Sequence, residues 1–271
     1  HIELRNPQPA TSDSSYSCLQ PTTYNLQPKC LQPTTYNLQQ ESPQPAPRKV
    51  RMLLNLPEDS QALMSSFKSK LRSQIKKPFK DGLSISLGGR ELLDDFYTVF
   101  SQNMRDLGSP VHSKSWIQHI LECFGPSGLC AVAYRPDKTP AACGIILLHS
   151  KTVSIPWASS LRYYNSSNPN MLLYWSFLEY AADNGYEFFD FGRSTPDEGT
   201  YKFKKQWGAK AYPLHWQIID TKAGQAVAID ERKKQQNSNG RLRQTGEKVF
   251  QALPLPLANA LGSRVRRYIS L

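Results

Sequence analysis

Residues 188–210 read FFDFGRSTPDEGTYKFKKQWGAK, running from Phe188 to Lys210. The first half is expected to be a strand, because Phe188, Phe189 and Phe191 are aromatic and the turn signals Asn184-Gly185 and Gly192 bracket them. The second half, Gly199 to Gln206, interleaves Lys202, Lys204 and Lys205 with Tyr201 and Phe203, and Trp207-Gly208 follows directly. Between the halves lies a Ser/Thr/Pro turn that holds Arg193, Asp197 and Glu198. Alternating lysines and aromatics are expected of an exposed strand with one wet and one packed face. The same residues admit a second reading, in which a cation held among aromatic rings stabilises negative charge developing during acyl or phosphoryl transfer.

Upstream, Met171 to Asp183 is expected to be a helix with Leu172, Leu173, Phe177, Leu178 and Ala181 available to a core. Asn168 and Asn170, in the loop before it, are candidate caps or cleft-lining residues. Val153 to Leu161, Ala141 to Leu148 and Leu129 to Tyr134 read as strands, and the last two lack charge, as expected of a sheet covered on both faces. Trp116–Phe124 reads as a short helix and Glu91–Leu107 as a longer one, burying Phe96, Val99, Phe100 and Met104. Gly82 to Gly89 is a strand closed by glycines. Val50 to Leu56 opens as a strand, and one helix is expected after Pro57, with Leu63, Phe67, Leu71 and Ile75 at i, i+4 spacing until Pro78 ends it. The lysines around that apolar stripe, Lys68, Lys70, Lys76 and Lys77, suit a solvated face or contact with phosphates of tRNA, a nucleotide-linked precursor or lipid headgroups. Downstream, Trp207 to Asp220 reads as a final strand. Val249 to Val265 is a Pro-interrupted apolar segment expected to cover the domain, with an interfacial helix on anionic lipid as the alternative.

Asp190-Phe-Gly-Arg-Ser-Thr followed by Gly199-Thr-Tyr-Lys-Phe-Lys-Lys-Gln-Trp-Gly-Ala resembles the signature of the FemAB-related proteins, relatives of the peptidoglycan-bridge aminoacyl transferases. The resemblance runs from about Val50 to Trp216 and recurs in Leu71-Arg-Ser-Gln-Ile-Lys-Lys, Asn103-Met-Arg-Asp-Leu-Gly-Ser-Pro and Ile155-Pro-Trp-Ala-Ser-Ser-Leu-Arg. It is nearest to the subgroup associated with exopolysaccharide and PEP-CTERM protein-sorting systems. It implies an α/β fold: a GNAT-like acyltransferase domain with a mixed central sheet flanked by helices, the second of two such domains. By the family's G-x-Y-x-F-K pattern it implies Lys204 as the oxyanion-stabilising residue and Phe203 as the neighbour that shapes the site. Arg193, Asn170, Tyr201, Arg105 and Trp157 are the candidate substrate-binding residues, with Tyr201 also readable as structural and Arg193 as an ion-pair partner of Asp190 or Asp197.

The expected organisation is a remnant of a first GNAT-like domain at residues 1–9, a linker over 10–49, the acyltransferase domain over 50–220, and a polar segment with a basic amphipathic helix over 221–271. His1-Ile-Glu-Leu-Arg resembles the closing strand of that first domain, which makes the chain read as N-terminally truncated. The linker is rich in Gln, Pro, Ser and Thr and holds a tandem repeat, CLQPTTYNLQPK from Cys18 and CLQPTTYNLQQE from Cys30. Two such copies are too few for a solenoid. The formal charge of +11 points to an acidic partner: nucleic acid, a phosphate-bearing substrate or an anionic membrane surface. Five cysteines without a C-x-x-C pair read as reduced thiols, and the histidines show no metal-ligand spacing, so no metal site is expected.

The resemblance to the FemAB-related proteins implies direct transfer of an activated acyl group, from aminoacyl-tRNA or acyl-CoA, to an amine of a cell-envelope precursor related to peptidoglycan or exopolysaccharide. No tightly bound cofactor is expected. A cytoplasmic location is expected, with peripheral contact to the inner face of the membrane. The alternatives are an acyl-CoA-dependent N-acyltransferase of an exopolysaccharide or protein-sorting system, and a basic binding module without catalysis.

Overall fold

The computed structural model describes residues 2–4, 49–214, 217–220, 225–228 and 240–266. The repeat-bearing segment with Cys18 and Cys30 lies outside the described residues, as do His215 and Trp216. The described residues belong to one compact unit. Its strands are β1 (Ile2–Leu4), β2 (Val50–Asn55), β3 (Ser84–Gly88), β4 (Gly128–Tyr134), β5 (Pro140–His149), β6 (Thr152–Ser160), β7 (Phe188–Ser194), β8 (Lys210–Pro213), β9 (Gln217–Asp220) and β10 (Gln225–Ala228). Its helices are α1 (Ser60–Ser66), α2 (Ser69–Lys80), α3 (Leu93–Asp106), α4 (Lys114–Phe124), α5 (Pro169–Asp183), α6 (Gly199–Gln206), α7 (Gly240–Ala252) and α8 (Leu255–Val265).

Eight strands form one mixed sheet in the order β1-β3-β4-β5-β6-β7-β2-β8, and β9 and β10 form a separate antiparallel pair. Side chains alternate across the central strands, so β4 and β5 feed two cores. Ala131, Ala133, Ala142 and Ile146 join the core beneath α1, α2, α5 and α6, while Cys130, Val132, Cys143 and Ile145 join the one beneath α3 and α4. Each of these eight residues is fully buried, which is why the strands carry no charge. Burial also pushes the Cys130 and Cys143 thiols up, which keeps them protonated and inert. The α5 helix is buried nearly all round, from Met171 to Leu178, as expected of a helix apolar on every face.

Two local expectations change. The helix foreseen from Pro57 to Pro78 is two helices, broken at Phe67–Lys68, where both residues take extended conformations. Leu63, Phe67, Leu71 and Ile75 are all still buried, so the apolar register survives the break. Pro78 does not end the second helix but sits inside its last turn, where few backbone bonds remain to be lost. The strand foreseen from Trp207 to Asp220 is divided into β8 and β9, which belong to different sheets.

Candidate active site

The parallel pair β6 and β7 is joined only through Thr152–Phe188, Val153–Phe189 and Ser154–Asp190. Beyond those pairs the strands part. Two irregularities accompany the divergence. On β6 the register with β5 shifts by one residue around Ile155-Pro156, and proline, which lacks the N–H, is tolerated at a bulge. On β7 the register with β2 shifts between Asp190 and Arg193, where Gly192 has φ +73°. Both strands enter helices at this end: β6 leads into α5 and β7 into α6. A crevice at the carboxyl ends of parallel strands whose sheet has opened is where α/β folds bind ligands.

The helix α6 replaces the exposed strand that Lys/aromatic alternation suggests. Its eight residues turn Lys204 inward: the side chain is 9% exposed, and its Nζ donates to the Arg193 carbonyl at 2.9 Å, on the part of β7 that has left β6. Burial lowers the Lys204 pKa to about 8, with the Asp190 carboxylate opposing the shift. Asp190 itself is held by Arg51 Nε at 2.8 Å and by the Gly192 N–H at 2.8 Å. Phe203 packs edge-on against Tyr174 of α5, ring centroids 4.9 Å apart, and against Trp207 at 6.2 Å. Gln206 reaches Met171 of α5. The helix α6 is thereby docked on the first two turns of α5, one turn from Asn170. Asn168 starts α5 in the left-handed region without a side-chain capping bond; Pro169 carries no N–H, and the Met171 N–H donates to the Asn168 carbonyl at 2.9 Å.

Not all of the sequence-predicted residues meet. Lys204, Phe203, Tyr201, Arg193 and Asn170 belong to α6, β7 and the start of α5. Tyr201 is half-buried, with the Lys205 ammonium 5.7 Å from its ring, and Arg193 is exposed opposite Arg51 on β2. Trp157 lies on β6 beyond its pairing with β7, yet its ring packs edge-on against Trp116 of α4, 5.4 Å between centroids, over the other core. Arg105 ends α3 on that same face, paired with Asp106 at 2.7 Å, and lines an open hollow of about 510 Å³ with Arg162 and Tyr163. The sequence reading overlooked Arg51, Tyr174 and Ser194. Ser194 is 4% exposed, at the end of β7, and its Oγ has no partner among the described residues. Tyr174 was readable from the i, i+3 spacing of its helix to Phe177; Arg51 and Ser194 carry no local signal.

Among the described residues no group of three His, Cys, Asp or Glu is placed to hold a metal, and no helix is long and apolar enough to cross a membrane.

Comparison with known proteins agrees with this geometry. The chain is 21% identical over 162 residues to the UDP-N-acetylmuramoylpentapeptide-lysine N(6)-alanyltransferase of Weissella viridescens, which covers 58% of this chain and 48% of that one. It therefore spans about half the length of the curated relative it matches. The structure of FemX superposes with a TM-score of 0.55 at 14% identity, over 61% of this chain and 60% of FemX. Residues 65–205, from α1 through α6, match the acetyltransferase (GNAT) domain, and since they make up more than half of the sequence, the chain belongs to that family.

Proposed function

We propose that this protein transfers an activated acyl or aminoacyl group to an amine of a cell-envelope precursor. The observation that carries the reading is Lys204, a buried ammonium at the opening between β6 and β7 with a pKa lowered to about 8. In such a transfer the acceptor amine attacks the carbonyl of an ester or thioester, a tetrahedral oxyanion forms, and its collapse expels the tRNA hydroxyl or the CoA thiol. An ammonium already desolvated and fixed by the Arg193 carbonyl stabilises that oxyanion without reorganising. A lysine carries three N–H donors, and the bond to Arg193 uses one. Phe203 and Tyr174 pack edge-on against each other beside Lys204, and in this reading they keep water from the ester.

In this reading Asn170, Tyr201 and Arg193 contact the donor or acceptor on the α6 side of the opening. Trp157 and Arg105 act from the opposite face, where Arg105 and Arg162 suit an anionic portion of the acceptor. The Weissella relative is named for alanyl transfer to the lysine N6 of UDP-N-acetylmuramoylpentapeptide, which favours a peptidoglycan precursor with a lysine side-chain amine as the acceptor, and the sequence resemblance adds aminoacyl-tRNA as the donor. An acyl-CoA donor and an acceptor of the exopolysaccharide or PEP-CTERM systems form the second reading, which rests on the sequence resemblance of the segments that begin at Leu71, Asn103 and Ile155 taken together.

The test is single-turnover transfer of a radiolabelled acyl group to a lysine-containing UDP-N-acetylmuramoylpentapeptide, supplied from alanyl-tRNA in one arm and acetyl-CoA in the other. Product from the alanyl-tRNA arm alone supports the aminoacyl reading, and product from the acetyl-CoA arm alone moves the assignment to the second. No product in either arm, with salt-sensitive binding indifferent to the acyl group, leaves only a basic binding module.

A further inference from the structure

A second concave feature lies away from Lys204, where the end of β2, the α1–α2 break and the end of α6 meet. It is an open groove of about 590 Å³, within the range of small-ligand sites. Leu54, Leu56, Phe67, Leu71 and Trp207 line it with apolar surface, and the charged residues that line it are Lys68, Lys70 and Lys205, with no carboxylate among them. Trp207 supplies an independent sign. Its side chain is fully buried, yet its indole N–H has no acceptor among the described residues, and an indole N–H is normally satisfied when buried. An apolar groove with a rim of one sign fits an amphipathic anion, and the orphan donor of Trp207 beneath it marks an unmet polar need of the lining.

We propose that this groove receives one acyl chain of an anionic membrane phospholipid, with the phosphate at Lys68, Lys70 and Lys205 and an ester carbonyl available to the Trp207 N–H. One buried chain gives only marginal membrane binding and becomes a stable anchor when a basic patch adds a second signal; the groove and its rim combine the two. The site stands independently of the transfer reaction. Its neighbour is nonetheless informative: Trp207 touches Phe203, the residue beside Lys204, so membrane seating bears on the wall of the candidate active site.

The experiment is co-sedimentation of the full chain with vesicles of phosphatidylcholine alone and of phosphatidylcholine with phosphatidylglycerol, at low and high salt. It is repeated with phospholipid carrying bromine on the acyl chain, which quenches a tryptophan it touches. The protein is expected to sediment with the anionic vesicles only, and the brominated chain to quench fluorescence in the wild type but not in Trp207→Phe. Reversing the three exposed lysines (Lys68→Glu, Lys70→Glu, Lys205→Glu) is expected to weaken binding about a hundred-fold or more, since each lysine near such a surface contributes about ten-fold or somewhat less. Leu56→Asp is expected to weaken binding while the circular dichroism spectrum stays that of the wild type. Equal binding to neutral vesicles overturns the proposal, as does unchanged binding by Leu56→Asp or an absence of Trp207-dependent quenching. Dimerisation that Leu56→Asp abolishes also overturns it, because the occupant is then a second copy of the chain.

Discussion

A lysine kept 9% exposed costs stability even where its charge serves catalysis, and Lys204 lets both consequences be measured. If the ammonium is the working form, Lys204→Ala lowers kcat by about 10²–10³-fold with little change in KM, the effect of removing one oxyanion donor. The pH profile then gives the sign. Lys204 is charged below about 8, so the ratio of wild-type to Lys204→Arg activity is expected to be level there and to fall as pH rises through that value, the ionisation of the acceptor amine being common to both. A ratio that instead climbs through pH 8 would make Lys204 a general base. Stability moves the opposite way. The folded-state pKa lies below the unfolded value, so between about 8 and 10.5 the unfolded chain binds more protons. Urea midpoints of the wild type are therefore expected to gain on those of Lys204→Met across that window and to lag most at lower pH. The candidacy of this residue was legible in the G-x-Y-x-F-K pattern. Its environment was not, because the bond to the Arg193 carbonyl depends on β7 leaving β6, which no local sequence feature records.

At the scale of elements, the irregularity of β7 positions that carbonyl. Gly192 has φ +73° and no atom within 4 Å of where a Cβ would lie, so the cost of a side chain there is conformational and not steric. Gly192→Ala is expected to lose about 1–2 kcal/mol of stability. If the bulge aims Arg193 at Lys204, the same variant shifts the break near pH 8 toward the ordinary lysine value; a profile that stays at 8 would show the bulge has no part in holding Lys204. Most elements were readable in advance. The uncharged strands β4 and β5 follow from burial on both faces, and α3 and α5 from apolar spacing. The helix α6 was not, since in eight residues Tyr201, Phe203 and Lys205 alternate as on a strand, while Phe203 and Trp207 stand four apart as on a helix. Tertiary contact decides between them, because only the helix lets Phe203 meet both Tyr174 and Trp207. The α1–α2 break escaped for the related reason that its apolar register runs on through Phe67.

In the whole molecule, the sheet separates two cores and the candidate residues fall on both sides of it: Lys204, Phe203, Tyr201 and Asn170 over one face, Arg105 and Trp157 over the other. Sequence places residues along a line and so could nominate both groups without assigning them to faces. This division makes the two faces separable by mutation. On the α3 face, α7 and α8 are fastened by Gln251 to the Asp106 carbonyl and by Arg266 to His112. Gly262 of α8 is buried, and a Cβ on it would lie 2.8 Å from the Val111 backbone nitrogen. That atom cannot yield as a flexible side chain would, so Gly262→Leu must push α8 off the Pro110-Val111 segment. Overpacking of this kind costs about 1–3 kcal/mol. The expected outcome is a lowered urea midpoint, with faster hydrogen exchange confined to α3, α7 and α8. The pH break set by Lys204 is expected to stay at about 8, because α6 packs on the other side of the sheet. Movement of that break in Gly262→Leu would mean that the sheet transmits strain between its faces, and Arg105 and Lys204 would then have to be treated as parts of one coupled site.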